Sequence, residues 1–121
     1  MKHYYSTESA EQKAVVQWCA YKGIPIVHIP NEGKRSARVG AEMKAMGLRP
    51  GFPDLFVPLP KKGFHGLFIE MKYGRNKATE NQKEWLALLV KNGYACAVCY
   101  GADEAIKNIE SYLKEKENGR D

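Results

Sequence analysis

The chain has 121 residues, 44% hydrophobic and 27% charged, which suits one soluble domain spanning residues 1–121 and excludes a multidomain arrangement. Its apolar stretches are broken by charge well short of the ~20 residues that a membrane span needs, and Lys2, His3, Tyr4 and Tyr5 do not open a signal peptide, so a soluble intracellular protein is expected. Lys and Arg exceed Asp and Glu by 19 to 14. The surplus sits in two segments: Lys34, Arg35, Arg38, Lys44 and Arg49 face only Glu32 and Glu42 within residues 30–49, and residues 61–91 carry seven basic groups against three acidic ones. A positive field concentrated in this way suits a polyanionic partner such as nucleic acid.

In chain order, residues 9–21 have helical periodicity, with Val15, Trp18 and Cys19 near one stripe and Gly23 as the stop before Pro25. The β-branched run 24–29 predicts a strand closed by Pro30, and the polar residues 31–36 predict a loop. Residues 38–46 suit a short helix. Gly47 and the Pro50-Gly51-Phe52-Pro53 cluster then force a tight turn into a strand over 54–57. A second strand is expected over 66–73, a helix capped by Thr79 and running to about 92, a strand over 94–100 and a last helix over 102–116, with 118–121 fraying.

This alternation predicts an α/β fold, a small mixed central sheet flanked by helices. A crossover from the 66–73 strand through the helix to the 94–100 strand makes these two parallel and the first of them internal. No internal repeat is visible.

Three cysteines are too few and too apolar in setting for a disulfide framework. Cys96 and Cys99 have CxxC spacing, but on a strand they face opposite ways, and no second pair completes a zinc set. They read as buried small hydrophobes, as does Cys19. Trp18 and Trp85 occupy helix positions suited to packing. His3, His28 and His65 have no spacing that suggests a shared metal, and residues 74–79 lack the order of a nucleotide-binding phosphate loop.

The chemistry gathers elsewhere. Glu70 and Lys72, two apart on a strand, leave one face while Ile69 and Met71 leave the other. Burying such charges without partners costs several kcal/mol, on the order expected for desolvated ions, so an exposed ion pair is the bland alternative. Asp54, presented at a strand start after a rigid turn, converges on Glu70 if the two strands are neighbours. Two carboxylates with nearby carbonyl oxygens make a hard-oxygen site of the kind Mg²⁺ or Mn²⁺ prefers. Lys72 beside them could orient an attacking water and offset charge on a phosphodiester.

Gly51-Phe52-Pro53-Asp54, then Glu70-Met71-Lys72, then Asn81-Gln82 in the next helix resembles the PD-(D/E)XK nuclease superfamily. Within it the layout is similar to the VRR-NUC group, to which the 8–12 helix start, the 28–33 segment, the 50–54 turn and the 74–82 stretch also conform, so that the likeness covers most of the chain. The resemblance implies a restriction-endonuclease-like core and a divalent-metal-dependent endonuclease that hydrolyses DNA, with Mg²⁺ or Mn²⁺ as cofactor. It implies metal-binding roles for Asp54 and Glu70, a catalytic role for Lys72, and a role for Gln82 in supporting metal, water or phosphate; Thr79 with Gln82 equally spells a capping box. An acidic residue from the first helix usually joins such sites: Glu8 and Glu11 both qualify, Glu8 fitting the group's spacing better, and charge compensation at the helix start explains either. Lys34, Arg35, Arg38, Arg75 and Lys77 are expected to touch phosphate, with Asn31 and Glu32 near the cleft. Small stand-alone members, often encoded by viruses of bacteria, imply a homodimer, with exposed Tyr4 and Tyr5 available to pack across it, acting on branched DNA such as Holliday junctions in the cytoplasm of a bacterium or phage-infected host. The alternative is a nucleic-acid-binding module with this architecture and little catalysis of its own.

Overall fold

The computed structural model describes residues 7–30 and 36–115. The expectations placed on Tyr4, Tyr5, Asn31, Glu32, Lys34, Arg35 and the 118–121 tail lie outside them.

The first helix, α1 (Glu8–Lys22), starts where the Thr7 hydroxyl accepts a hydrogen bond from the Ala10 N–H at 3.0 Å, and it ends at Gly23, whose φ of 73° is the left-handed cap that glycine adopts without strain. Val15 and Cys19, one turn apart, are fully buried. The strand expected over 24–29 shrinks to β1 (Val27–His28). Pro25 and Pro30 have no N–H to give to a ladder, and the Ile24 N–H is spent on Cys19 O at 2.8 Å in closing the helix. Ile24 and Ile26 pack against the core instead. A short helix, α2 (Ala37–Ala45), follows the Ser36 cap and buries none of its residues.

Strands β2 (Leu55–Val57) and β3 (Leu67–Lys72) pair antiparallel, Leu55 opposite Ile69. Helix α3 (Glu80–Lys91) leads to β4 (Ala95–Tyr100), which lies parallel to β3 with Glu70 opposite Val98, and α4 (Gly101–Leu113) begins at once. The sheet order β1-β2-β3-β4 is mixed and leaves β3 internal, as the strand-helix-strand order requires. All six residues of β3 are buried.

Strand alternation divides the interior in two. Leu55, Val57, Leu67, Ile69, Met71 and Cys99 join Val15 and Cys19 of α1 and Ala105, Ile109 and Tyr112 of α4 in one apolar core. Toward α3, Phe68 stacks on Phe56 with centroids 4.3 Å apart and meets Phe52 edge-on at 5.4 Å, while Phe52 meets Trp85 at 5.1 Å. Cys19 and Cys99 are buried as expected, whereas Cys96 is only half-buried; burial pushes the Cys19 and Cys96 thiols up to about 11 and, with Glu104 adding repulsion, Cys99 to about 12, so none is a ready nucleophile. Among the described residues no helix is long and apolar enough to cross a membrane.

Candidate active site

Asp54 stands at the threshold of β2, delivered by a turn that only glycine permits. Gly51 has a φ of 88°, and a Cβ there would lie 2.7 Å from the backbone carbon of Asn81 and 2.8 Å from the Gln82 nitrogen, so the turn rests directly on the first turn of α3. Continuing the β2–β3 register by one residue sets Asp54 across from Glu70. The carboxylate Oδ2 accepts the Met71 N–H at 2.8 Å, while the Asp54 carbonyl accepts the Ile29 N–H at 2.7 Å and stands 3.1 Å from His28 Nδ1.

Glu70 and Lys72 leave β3 on the α3 side, and both are buried, Glu70 to within 1% of full exclusion from solvent. Lys72 Nζ stands 3.9 Å from Glu70 Oε2, close enough for charge attraction and too far for a hydrogen bond. Gln82 gives that oxygen its direct partner: Nε2 donates to Glu70 Oε2 at 3.0 Å, while Oε1 accepts the Thr79 N–H at 2.8 Å. The capping box and the contact to Glu70 are therefore one arrangement. An amide has an acceptor end and a donor end, and the cap that fixes the first aims the second at Glu70.

Burial raises the Asp54 pKa above its ordinary 3.8, opposed in decreasing order by the Met71 N–H, the Glu70 side chain, and the charges of His28 and Lys72. A raised value means that the folded chain holds more protons than the unfolded chain between pH 3.8 and the raised value, so stability of the metal-free protein falls as pH rises through that window. Thermal unfolding measured across the window should show the fall, and Asp54→Asn should flatten it.

A cavity of about 400 Å³ opens beside Asp54, walled by Glu8, Gln12 and Lys13 of α1, by His28, and by Met71 and Tyr73. Glu70, Lys72 and Gln82 are not among its walls. The two candidate glutamates of α1 separate here. Glu8 faces the cavity, whereas Glu11 Oε1 accepts the Ala102 N–H at 2.8 Å and so helps cap the start of α4, where Glu104 of the helix itself accepts the Tyr100 N–H at 2.9 Å. Among the described residues no three His, Cys, Asp or Glu side chains form a group that could by themselves hold a metal. Arg38 on α2 and Arg75 and Lys77 after β3 are exposed to solvent, and His65 is an exposed residue beside Tyr94. Gln12 and His28, joined at 3.1 Å, escaped the sequence reading as site residues. The available signal was helical spacing, since Gln12 is four residues after Glu8 and shares its face.

Residues 6–103 match the VRR-NUC domain family. A solved structure described as a VRR_NUC domain protein is similar at 34% identity with a TM-score of 0.76, covering 92% of this chain and 91% of that one. No curated protein matches.

Proposed function

The chain belongs to the VRR-NUC family of the PD-(D/E)XK-related nuclease superfamily, and from that premise we propose that residues 1–121 act as one divalent-metal-dependent endonuclease domain that hydrolyses DNA phosphodiester bonds. The observation that carries the reading is the buried set Asp54, Glu70, Lys72 and Gln82, assembled from β2, β3 and α3. Four buried polar groups converging at one sheet position are costly for a purely structural interior.

The donor set fits Mg²⁺ or Mn²⁺. Both anchors are hard carboxylate oxygens, and burial without a full counter-charge raises the Asp54 pKa, a penalty that a cation relieves. Mg²⁺ commonly keeps several waters and takes only one or two carboxylates plus substrate phosphate, so two carboxylates suffice, with Glu8 across the cavity as a further oxygen donor. A cation held by Asp54 and Glu70 would supply Lewis acidity toward the phosphodiester. The protein's own contributions are positional and electrostatic. The Met71 N–H holds the Asp54 carboxylate in place, the Gln82 amide holds Glu70, and the Lys72 ammonium is placed to orient the attacking water and to offset negative charge as phosphorus becomes five-coordinate. Arg38, Arg75 and Lys77, with Lys34 and Arg35, would grip flanking phosphates, which makes binding weaken with added salt as counterions are no longer released favourably.

The working form in this reading is a homodimer on branched DNA such as Holliday junctions, in a bacterial or phage-infected cytoplasm. One chain offers one such site, and paired cuts across a junction need two in fixed relation. Exposed Tyr21, Met46, Leu88 and Val90 supply apolar surface for a partner copy. Supercoiled DNA and a synthetic four-way junction, incubated with Mg²⁺ or Mn²⁺, should be cut by the wild type and spared by Asp54→Ala and Glu70→Ala. Equal cutting by both folded variants would remove the nuclease reading, and DNA binding without cutting by the wild type would favour the binding-module alternative. Light scattering that gives a monomer mass, together with single unpaired nicks, would remove the dimeric junction-cutting part alone.

A further inference from the structure

We propose that Gln12 and His28 are positioning residues that lock the Glu8 turn of α1 to the Asp54 backbone through the Nδ1–H of the imidazole. The inference rests on the reading of Asp54 and Glu8 as metal-facing carboxylates and adds the device that sets their relative position.

The hydrogen-bond chemistry at this nitrogen is restrictive. His28 Nδ1 lies 3.1 Å from the Asp54 carbonyl oxygen and 3.1 Å from Gln12 Nε2. A carbonyl oxygen can only accept. A bare Nδ1 would set two lone pairs against each other at that distance, so Nδ1 carries the proton. An amide N–H₂ facing that N–H would be a donor against a donor, so the Gln12 amide is assigned the reverse way round, its oxygen taking the place of Nε2 and sharing the proton in a three-centre bond; the two ends of an amide have the same shape and the network decides between them. The Asp54 carbonyl then has both lone pairs occupied, one by the Ile29 N–H at 2.7 Å and one by His28. With the Met71 N–H on its carboxylate, Asp54 is held from β1 on one side and β3 on the other.

Gln12 extends this clamp to the helix. Glu8 and Gln12 are four residues apart, on one face, and both wall the cavity that Asp54 enters. Glu11, on the neighbouring face, holds α4 through Ala102 N–H. The first two turns of α1 thus have one polar tie to α4 and one to the sheet, and the second of these sets how far Glu8 stands from Asp54. Groups that orient metal-facing carboxylates without touching metal commonly change metal affinity by about 10–100-fold when removed.

The experiment compares wild type with Gln12→Ala, His28→Gln and His28→Asn by two measurements on each folded protein. One is titration with Mn²⁺ alone by calorimetry; the other is hydrogen exchange of the Ile29 and Met71 amides in metal-free protein. Asparagine places an N–H close to that of Nδ1, and glutamine places one near Nε2. Gln12→Ala and His28→Gln should weaken Mn²⁺ binding by about tenfold and speed exchange at both amides by a similar factor, while His28→Asn should stay within about twofold of wild type. Wild-type exchange in Gln12→Ala and His28→Gln, or equal damage from His28→Asn and His28→Gln, would overturn the inference. If wild type takes up no Mn²⁺, the metal reading fails by itself and the exchange pattern still decides the clamp.

Discussion

Lys72→Met should slow DNA cleavage by about 10²–10³-fold in kcat at saturating metal and DNA, the loss seen when one preorganised group that stabilises transition-state charge is removed. Methionine nearly matches the lysine stem in length and volume, so packing under α3 is kept while the charge goes. Glu70 would keep its Gln82 bond at 3.0 Å but lose the cation at 3.9 Å, and Asp54 would lose one of the charges that restrain its pKa. DNA affinity should change little, because Lys72 is buried and the exposed phosphate contacts assigned to Arg38, Arg75 and Lys77 are untouched. Single-turnover cleavage and a salt series of binding isotherms separate the two effects. An unchanged cleavage rate in folded Lys72→Met would remove lysine from the chemistry. Arg75→Ala with Lys77→Ala should do the opposite, lowering affinity and the steepness of its salt dependence with cleavage at saturation little altered.

Gly51→Ala should lower stability by about 2–5 kcal/mol, adding roughly 1–2 kcal/mol for a side chain forced into left-handed backbone to roughly 1–3 kcal/mol for overpacking. The new methyl would stand 2.7 Å from the Asn81 backbone and 2.8 Å from the Gln82 nitrogen, where neither neighbour is a flexible side-chain tip. Relief therefore means moving the 50–53 turn away from α3. That movement carries Asp54 away from the helix whose Gln82 steadies Glu70, so activity should fall further than the loss of folded protein explains. Gly40 supplies the control: it lies within α2 with open space around the would-be Cβ, and Gly40→Ala should stabilise by up to about 1 kcal/mol from helix propensity. Thermal melts of the two variants, which should move in opposite directions, check both statements together.

Much of this molecule is written in short-range pattern. The Thr79–Gln82 spacing specifies the capping box, the period of two on β3 puts Glu70 and Lys72 on one face, and the strand-helix-strand order makes β3 internal; each depends on residues within one turn or one connection. The same logic sets Cys96 and Cys99 on opposite faces and marks Gly51 as a turn. The order of motif residues, 54, 70, 72 and 82, was enough to indicate the family. What local pattern could not decide was any distance between elements. Asp54 meets Glu70 because β2 and β3 pair in one register rather than one residue away, and that choice belongs to the buried face carrying Leu55, Val57, Leu67 and Ile69. Glu8 and Glu11 are alike as helix-start carboxylates, and only the docking of α1 against α4 sends Glu11 to the Ala102 N–H and leaves Glu8 at the cavity. The β-branched run at 24–29 reads as a strand, but Pro25, Pro30 and the helix cap on Ile24 remove its ladder donors and leave two paired residues. Those two bring His28 to Asp54 and Gln12, contacts spanning 26 and 16 residues of sequence, for which no periodicity exists to be read because they are made where α1 meets the sheet edge that β1 forms.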